Sequence, residues 1–305
     1  MNSTSRLACW LVMEALILVK AQGETNPTAN TPSSGNDSFA PLPGIFNSEL
    51  PRMTLPADLR VTLRPRIGDL KSRDHLRLVW GLRYGLSTQW ELSSDIDSYI
   101  AHGLKDRSIL STNGISQVSF GAKYRFNDFL EPFWDTAAGI RYSVPINHAP
   151  EELTDGLRHI SPYMTMEHAF KRHPSVTGFF SYGFDFNSRA LPRSNTDQYY
   201  GADTWFITPG LTWRRGTIKY TLEVTFRSSA GLDSSDTYNF NVRPGMAWTL
   251  PPNLTFHSRN RWVLGLGLSA GLNDHGSNWG INTRLQTDFD FRRIFYTPKP
   301  TKVGF

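Results

Sequence analysis

The sequence predicts an all-β protein: a single antiparallel transmembrane β-barrel of about 12 strands, with short periplasmic turns and longer extracellular loops. Three observations carry this. From about residue 59 to 291 apolar side chains recur at every second position, with no helical period. The connections between these runs alternate short and long. The intervening positions carry charges, hydroxyls and glycine; a half-buried strand of a soluble sandwich alternates in the same way, so it is the connections that separate the two readings.

The strands follow in order. Leu59, Val61 and Leu63 mark the first. The second, HLRLVWGLRYGL over 75–86, is apolar at Leu76, Leu78, Trp80, Leu82, Tyr84 and Leu86, with Arg77, Val79, Gly81, Arg83 and Gly85 between. Trp90, Leu92, Ile96 and Ile100 mark the third, Val118, Phe120, Ala122, Tyr124 and Phe126 the fourth, and Trp134, Ala138, Ile140, Tyr142 and Val144 the fifth. Ile160, Met164, Met166 and Phe170 are followed by Val176, Phe180, Tyr182, Phe184 and Phe186. The second half runs through 205–213, 218–226, 238–250, 262–272 and 279–291 on the same rule. Each run has the length a tilted strand needs to cross a bilayer. Short connections are expected at 87–89, 127–132, 172–174, 215–216 and 251–253, long ones at 102–113, 147–157, 188–203 and 228–237, and ones of moderate length at 68–74 and 273–278. That alternation suits strands that all cross one slab. Trp90, Trp134, Trp205, Trp213, Trp248, Trp262 and Trp279 fall near strand ends, as membrane-interface girdles require.

Composition narrows the class. Of 305 residues, 39% are hydrophobic, and outside the N-terminus no stretch offers about 20 consecutive apolar residues, which excludes a helical membrane protein. The net charge of +5 is spread singly, so no nucleic-acid partner is indicated. The eight His are dispersed, with no HxxxH or carboxylate cluster, so neither metal nor cofactor is indicated. The one cysteine, Cys9, precludes a disulfide framework.

The ends of the chain read differently from the middle. Residues 1–23 have the basic, apolar and small-residue order of a signal peptide, with Ala21-Gln22-Gly23 at its end. Residues 24–57 are rich in Pro, Ser and Asn and read as a flexible periplasmic segment or, through 41–46, a plug. The barrel is expected over 58–296, followed by a tail over 297–305.

If the apolar rows meet lipid, the alternate rows line a lumen. The lumen-lining candidates are Arg77, Arg83, Glu91, Asp95, Lys123, Arg125, Asp135, Arg141, Glu167, Asp185, Lys219, Glu223, Arg243, Arg284 and Asp288; Asp97, Lys171, Arg214, Arg227, Arg261 and Asp290 share the pattern. Burying such a set dry is costly unless each charge finds a partner, so a wet, narrow lumen is expected. A mild cationic excess points to anionic or neutral solutes.

Several segments, YGLSTQWEL (84–92), VSFGAKYRF (118–126), FITPGLTWR (206–214), RWVLGLGLSAGL (261–272) and TRLQTDFDF (283–291), resemble bacterial outer-membrane barrels of the MetA-pathway phenol-degradation family. The resemblance implies the outer membrane of a Gram-negative bacterium, passage of small, often hydrophobic or aromatic compounds, and no catalytic residues. The final TPKPTKVGF departs from it and moves the aromatic end read by barrel-assembly machinery to 289–296. The expected partners are therefore outer-membrane lipid, a small-molecule solute and, during biogenesis, that machinery. Three competing readings remain: a structural or adhesive barrel without transport, an outer-membrane lipid hydrolase using His168, His159 or His257 with a serine, and a soluble secreted β-protein. No spacing marks a nucleophile beside any of these histidines.

Overall fold

The alternation closes into a barrel in the computed structural model, which describes residues 49–67, 75–102, 113–130, 134–146, 156–189, 203–232, 238–255, 261–271 and 280–290. The strands are β1 (Asp58–Pro65), β2 (His75–Gly85), β3 (Trp90–Ala101), β4 (Gly114–Leu130), β5 (Trp134–Pro145), β6 (Leu157–Ala169), β7 (Val176–Arg189), β8 (Thr204–Arg215), β9 (Ile218–Ser228), β10 (Tyr238–Thr249), β11 (Trp262–Gly271) and β12 (Gly280–Asp290). Each pairs antiparallel with its sequence neighbours, and β1 pairs β12 with Leu59 opposite Phe289, so no sheet edge remains. The fold is the twelve-strand antiparallel barrel that the alternation predicts.

Register keeps the two faces apart. Leu59 lies opposite Tyr84, Trp80 opposite Ile96 and Ile96 opposite Val118, whereas Arg83 faces Ser93, Asp95 faces Ser119 and Lys123 faces Gly139. Because the side-chain period is two, this register puts every apolar row on one surface. Trp80, Ile140, Leu211, Leu222 and Leu266 are exposed on the outside, while Arg60, Glu91, Lys123 and Glu223 are buried within. Aromatic pairs gather near the strand ends: Trp90–Tyr124 at 5.0 Å and Trp213–Tyr220 at 5.4 Å beside short turns, and Trp205–Phe226 at 5.3 Å beside long loops.

Local chemistry sets the turns. Arg215 pairs with Ile218 across two residues, and Gly216 adopts φ 59°, the left-handed conformation a tight hairpin needs. In the β2–β3 turn the Ser87 hydroxyl accepts from the amides of Gln89 and Trp90. Three expectations need correcting. β4 runs on to Leu130, which pairs with Trp134 beyond an irregularity after Phe126, so most of the turn expected at 127–132 is strand. The β10–β11 connection is longer than 251–253: Pro251 and Pro252 have no N–H to donate to a ladder, and Pro252–Thr255 forms a 3₁₀ turn before β11 begins at Trp262. Lys171 leaves the wall, because strand pairing ends at Ala169 and residues 171–175 form an exposed turn in which His173 N donates to Phe170 O. The signal-peptide segment 1–23, the stretch 41–46 and the tail 297–305 lie outside the described residues.

Candidate functional site

The chain before β1 turns inward. Asp58 N donates to Leu55 O at 2.9 Å and Ala57 N to Gly85 O at 2.7 Å, forming an elbow at the short-turn end with Ala57 at φ 63°. Gly85 permits the passage, since a Cβ there would lie 2.1 Å from Leu55 O. Residues 49–54 then run inside the barrel, with Leu50, Pro51, Met53 and Thr54 buried.

Inner-face charges of β2 to β6 hold this segment. Lys123 Nζ lies 3.0 Å from Glu91 Oε1 and donates to the carbonyls of Leu50 and Arg52, each at 3.1 Å. Three acceptors thus meet the three donors of a buried ammonium. Glu91 Oε2 in turn accepts from Thr54 N at 2.6 Å, and Arg52 Nε donates to Glu167 Oε1 at 2.5 Å. Deeper in, Glu49 Oε1 accepts from Arg141 Nη2 at 2.8 Å and Arg83 Nη2 at 3.2 Å. Asp95 joins the same group, 2.8 Å from Arg64, 3.2 Å from Arg83 and 3.5 Å from Arg141. Burial pushes the Glu49 carboxyl up, but the charges of Arg83, Lys123 and Arg141 outweigh it and hold the pKa at about 2. Ser181 Oγ, on β7, donates to Glu49 O at 3.2 Å, so the segment touches inner-face residues from β2 through β7.

A second group lies on β6 to β9, nearer the long loops. Asp185 Oδ1 accepts from Ser161 Oγ at 2.8 Å and shares a hydrogen bond with His159 Nδ1 at 3.2 Å, while Oδ2 lies 3.5 Å from Arg227 Nη1. The Arg227 guanidinium stands 6.0 Å from the Phe206 ring centroid. On the adjoining wall Arg243 Nη1 lies 3.7 Å from Glu223 Oε1 and donates to Thr225 Oγ1 at 3.2 Å. In several pairs the base is the more exposed partner: the Arg141 side chain is 34% exposed against 6% for Asp95, and Arg227 50% against 11% for Asp185.

The candidate lumen residues therefore fall into distinct sets. Arg83, Asp95 and Arg141 meet in one cluster; Glu91 meets Lys123, and Arg125 meets Asp135 at 2.8 Å. Glu167 and Asp185 instead pair with Arg52 and Arg227, and Glu223 with Arg243. Lys219 and Arg284 are buried on the inner face, and Arg77 sits on the same face in register with Tyr99. Asp288 pairs in register with Arg60; its side chain lies outside the described residues.

Glu49, Arg52, Arg60, Arg64 and Phe206 were not among the sequence candidates. The parity that placed Arg83 would have found Arg60 and Arg64 between Leu59, Val61 and Leu63, but nothing in a Pro-rich stretch marks Glu49. Among the hydrolase histidines, His159 points into the lumen, His168 packs between Trp134 and Phe170 at 5.4 and 5.6 Å, and His257 lies outside the described residues. Among the described residues no group of three or more His, Cys, Asp or Glu could hold a metal ion.

No family model and no curated protein matches the sequence. Solved structures do match. An outer membrane channel from Pseudomonas putida F1 has a TM-score of 0.51 at 9% identity, covering 77% of this chain and 96% of that one. The NanC porin has a TM-score of 0.49 at 12% identity, covering 76% of this chain and 98% of that one; the KdgM porin has 0.46 at 9%, covering 75% and 98%. The likeness to the Pseudomonas putida channel shows a shared barrel fold.

Proposed function

We propose that this chain is a passive channel for small solutes in the outer membrane of a Gram-negative bacterium and has no enzymatic role. One observation carries the reading: a closed barrel exposes leucine and tryptophan outside while lining its interior with charges, some of which, such as Arg227, remain accessible. Lipid suits the outer face, and a water-filled passage suits the inner one. Resemblance to the MetA-pathway phenol-degradation family supports aromatic or hydrophobic compounds as the solute class, and the mild cationic excess of the inner face supports weakly anionic ones. Barrel-assembly machinery would insert the chain, with the long loops outside.

A second reading, a structural barrel without transport, is favoured by the segment 49–54, which fills lumen space beside β2 to β7. Single-channel conductance of the refolded protein in a planar bilayer separates the two. The channel reading expects discrete, modestly anion-selective steps. Silence from protein shown to be folded and inserted would support the structural barrel.

A further inference from the structure

We propose that Arg227 and Phe206, backed by Asp185, His159 and Ser161, form a lumenal subsite for a small carboxylate with a flat apolar body, a benzoate-like anion. The five residues share the inner face of β6 to β9 at one level: Phe206 stands opposite Arg227 on β9 and opposite Gly183 on β7, and Asp185 opposite Thr204.

The chemistry of each group points the same way. Asp185 is largely committed, with one oxygen bonded to Ser161 and His159 and the other oriented toward Arg227. Arg227 is committed far less. A guanidinium carries five N–H donors, yet among the described residues only Nη1 is engaged, at 3.5 Å, and half the side chain is exposed. A solute carboxylate could take the planar fork with two shorter bonds than the one Asp185 makes. Phe206 is fixed beside it: a Cβ on Gly183 would lie 2.7 Å from the Phe206 Cζ, so the ring rests on β7 backbone in space only glycine leaves open. An aromatic body can stack or pack edge-on against that ring while its carboxylate meets Arg227. The more buried ion pairs, such as Lys123–Glu91, offer a solute no comparable donor.

The proposal rests on the channel reading only for how the anion arrives, and binding tests it directly. Fluorine NMR of 4-fluorobenzoate would be recorded with the full chain folded in detergent micelles, folding being checked by heat-modified gel mobility. The wild type should broaden the resonance, benzoate should reverse the broadening, and benzyl alcohol should not. Arg227→Gln should weaken binding roughly tenfold or more, Arg227→Lys should restore only part of it, and Phe206→Leu should weaken it. Arg172→Gln, at an exposed cation in the turn after β6, should leave it unchanged. Equal binding by wild type and Arg227→Gln, or none by the wild type, would overturn the subsite. A protein that binds but conducts nothing would overturn the channel reading and leave the subsite standing; one that conducts with no Arg227-dependent binding would do the reverse.

Discussion

The two charged groups inside the barrel use the same parts to opposite ends. Around Glu49, three arginines and two carboxylates interlock with Arg83 and Asp95 nearly fully buried. Around Asp185, one carboxylate holds a serine, a histidine and an arginine that stays half exposed. The first group is finished by a chain segment and acts as a clamp; the second leaves its cation to the lumen. Burial, and not charge composition, separates a brace from a binding surface. A buried ion pair is costly to break from one side, whereas an exposed one adds little stability.

Removing a central charge should have the largest effect. Arg83→Leu leaves Glu49 and Asp95 each short of a partner and should destabilise the protein by about 3–5 kcal/mol, read as a lowered unfolding midpoint in urea. An unchanged midpoint would mean that the cluster is hydrated and braces nothing.

Glu49→Gln tests the clamp without emptying the site. Released from the lumen, Glu49 would titrate near 4.5; seated, it titrates near 2, so the seated form is favoured above 4.5 and loses that advantage as pH falls toward 2. The linkage amounts to at most about 3 kcal/mol. Conductance of the wild type should therefore rise on acidification through this window, and Glu49→Gln should lack that component. Identical pH profiles would detach Glu49 from occlusion of the lumen.

Gly85→Ala presses a methyl group against Leu55 O and should cost about 1–3 kcal/mol, loosening the elbow while the strands stay paired. Proteolysis between residues 49 and 57 of the folded barrel should then speed up relative to wild type. Arg227→Gln should have the smallest effect on stability, within about 1 kcal/mol by urea unfolding, despite its effect on ligand binding. A loss as large as that of Arg83→Leu would mean that the two groups do not differ.

Sequence alone carried the barrel and its facing, because a strand in a closed barrel with unlike inner and outer faces repeats one rule every two residues, and His75 to Leu86 states that rule in full. Where the rule lapsed, the reading lapsed with it. Asn127 to Leu130 extended β4 past an expected turn, and the proline pair at 251–252 opened a longer connection than the short-long alternation allows.

Parity placed Arg83, Asp95, Arg141 and Asp185 on one face, yet it could not say that Arg83 would meet Glu49, 34 residues earlier, or that Asp185 would reach Arg227 two strands away. Alternation is a local steric property of extended backbone, so it is written in adjacent residues. Which charges are sealed by the inward-running segment and which are left to the lumen depends on barrel closure and on where residues 49–57 turn, contacts between distant positions that only the tertiary structure decides.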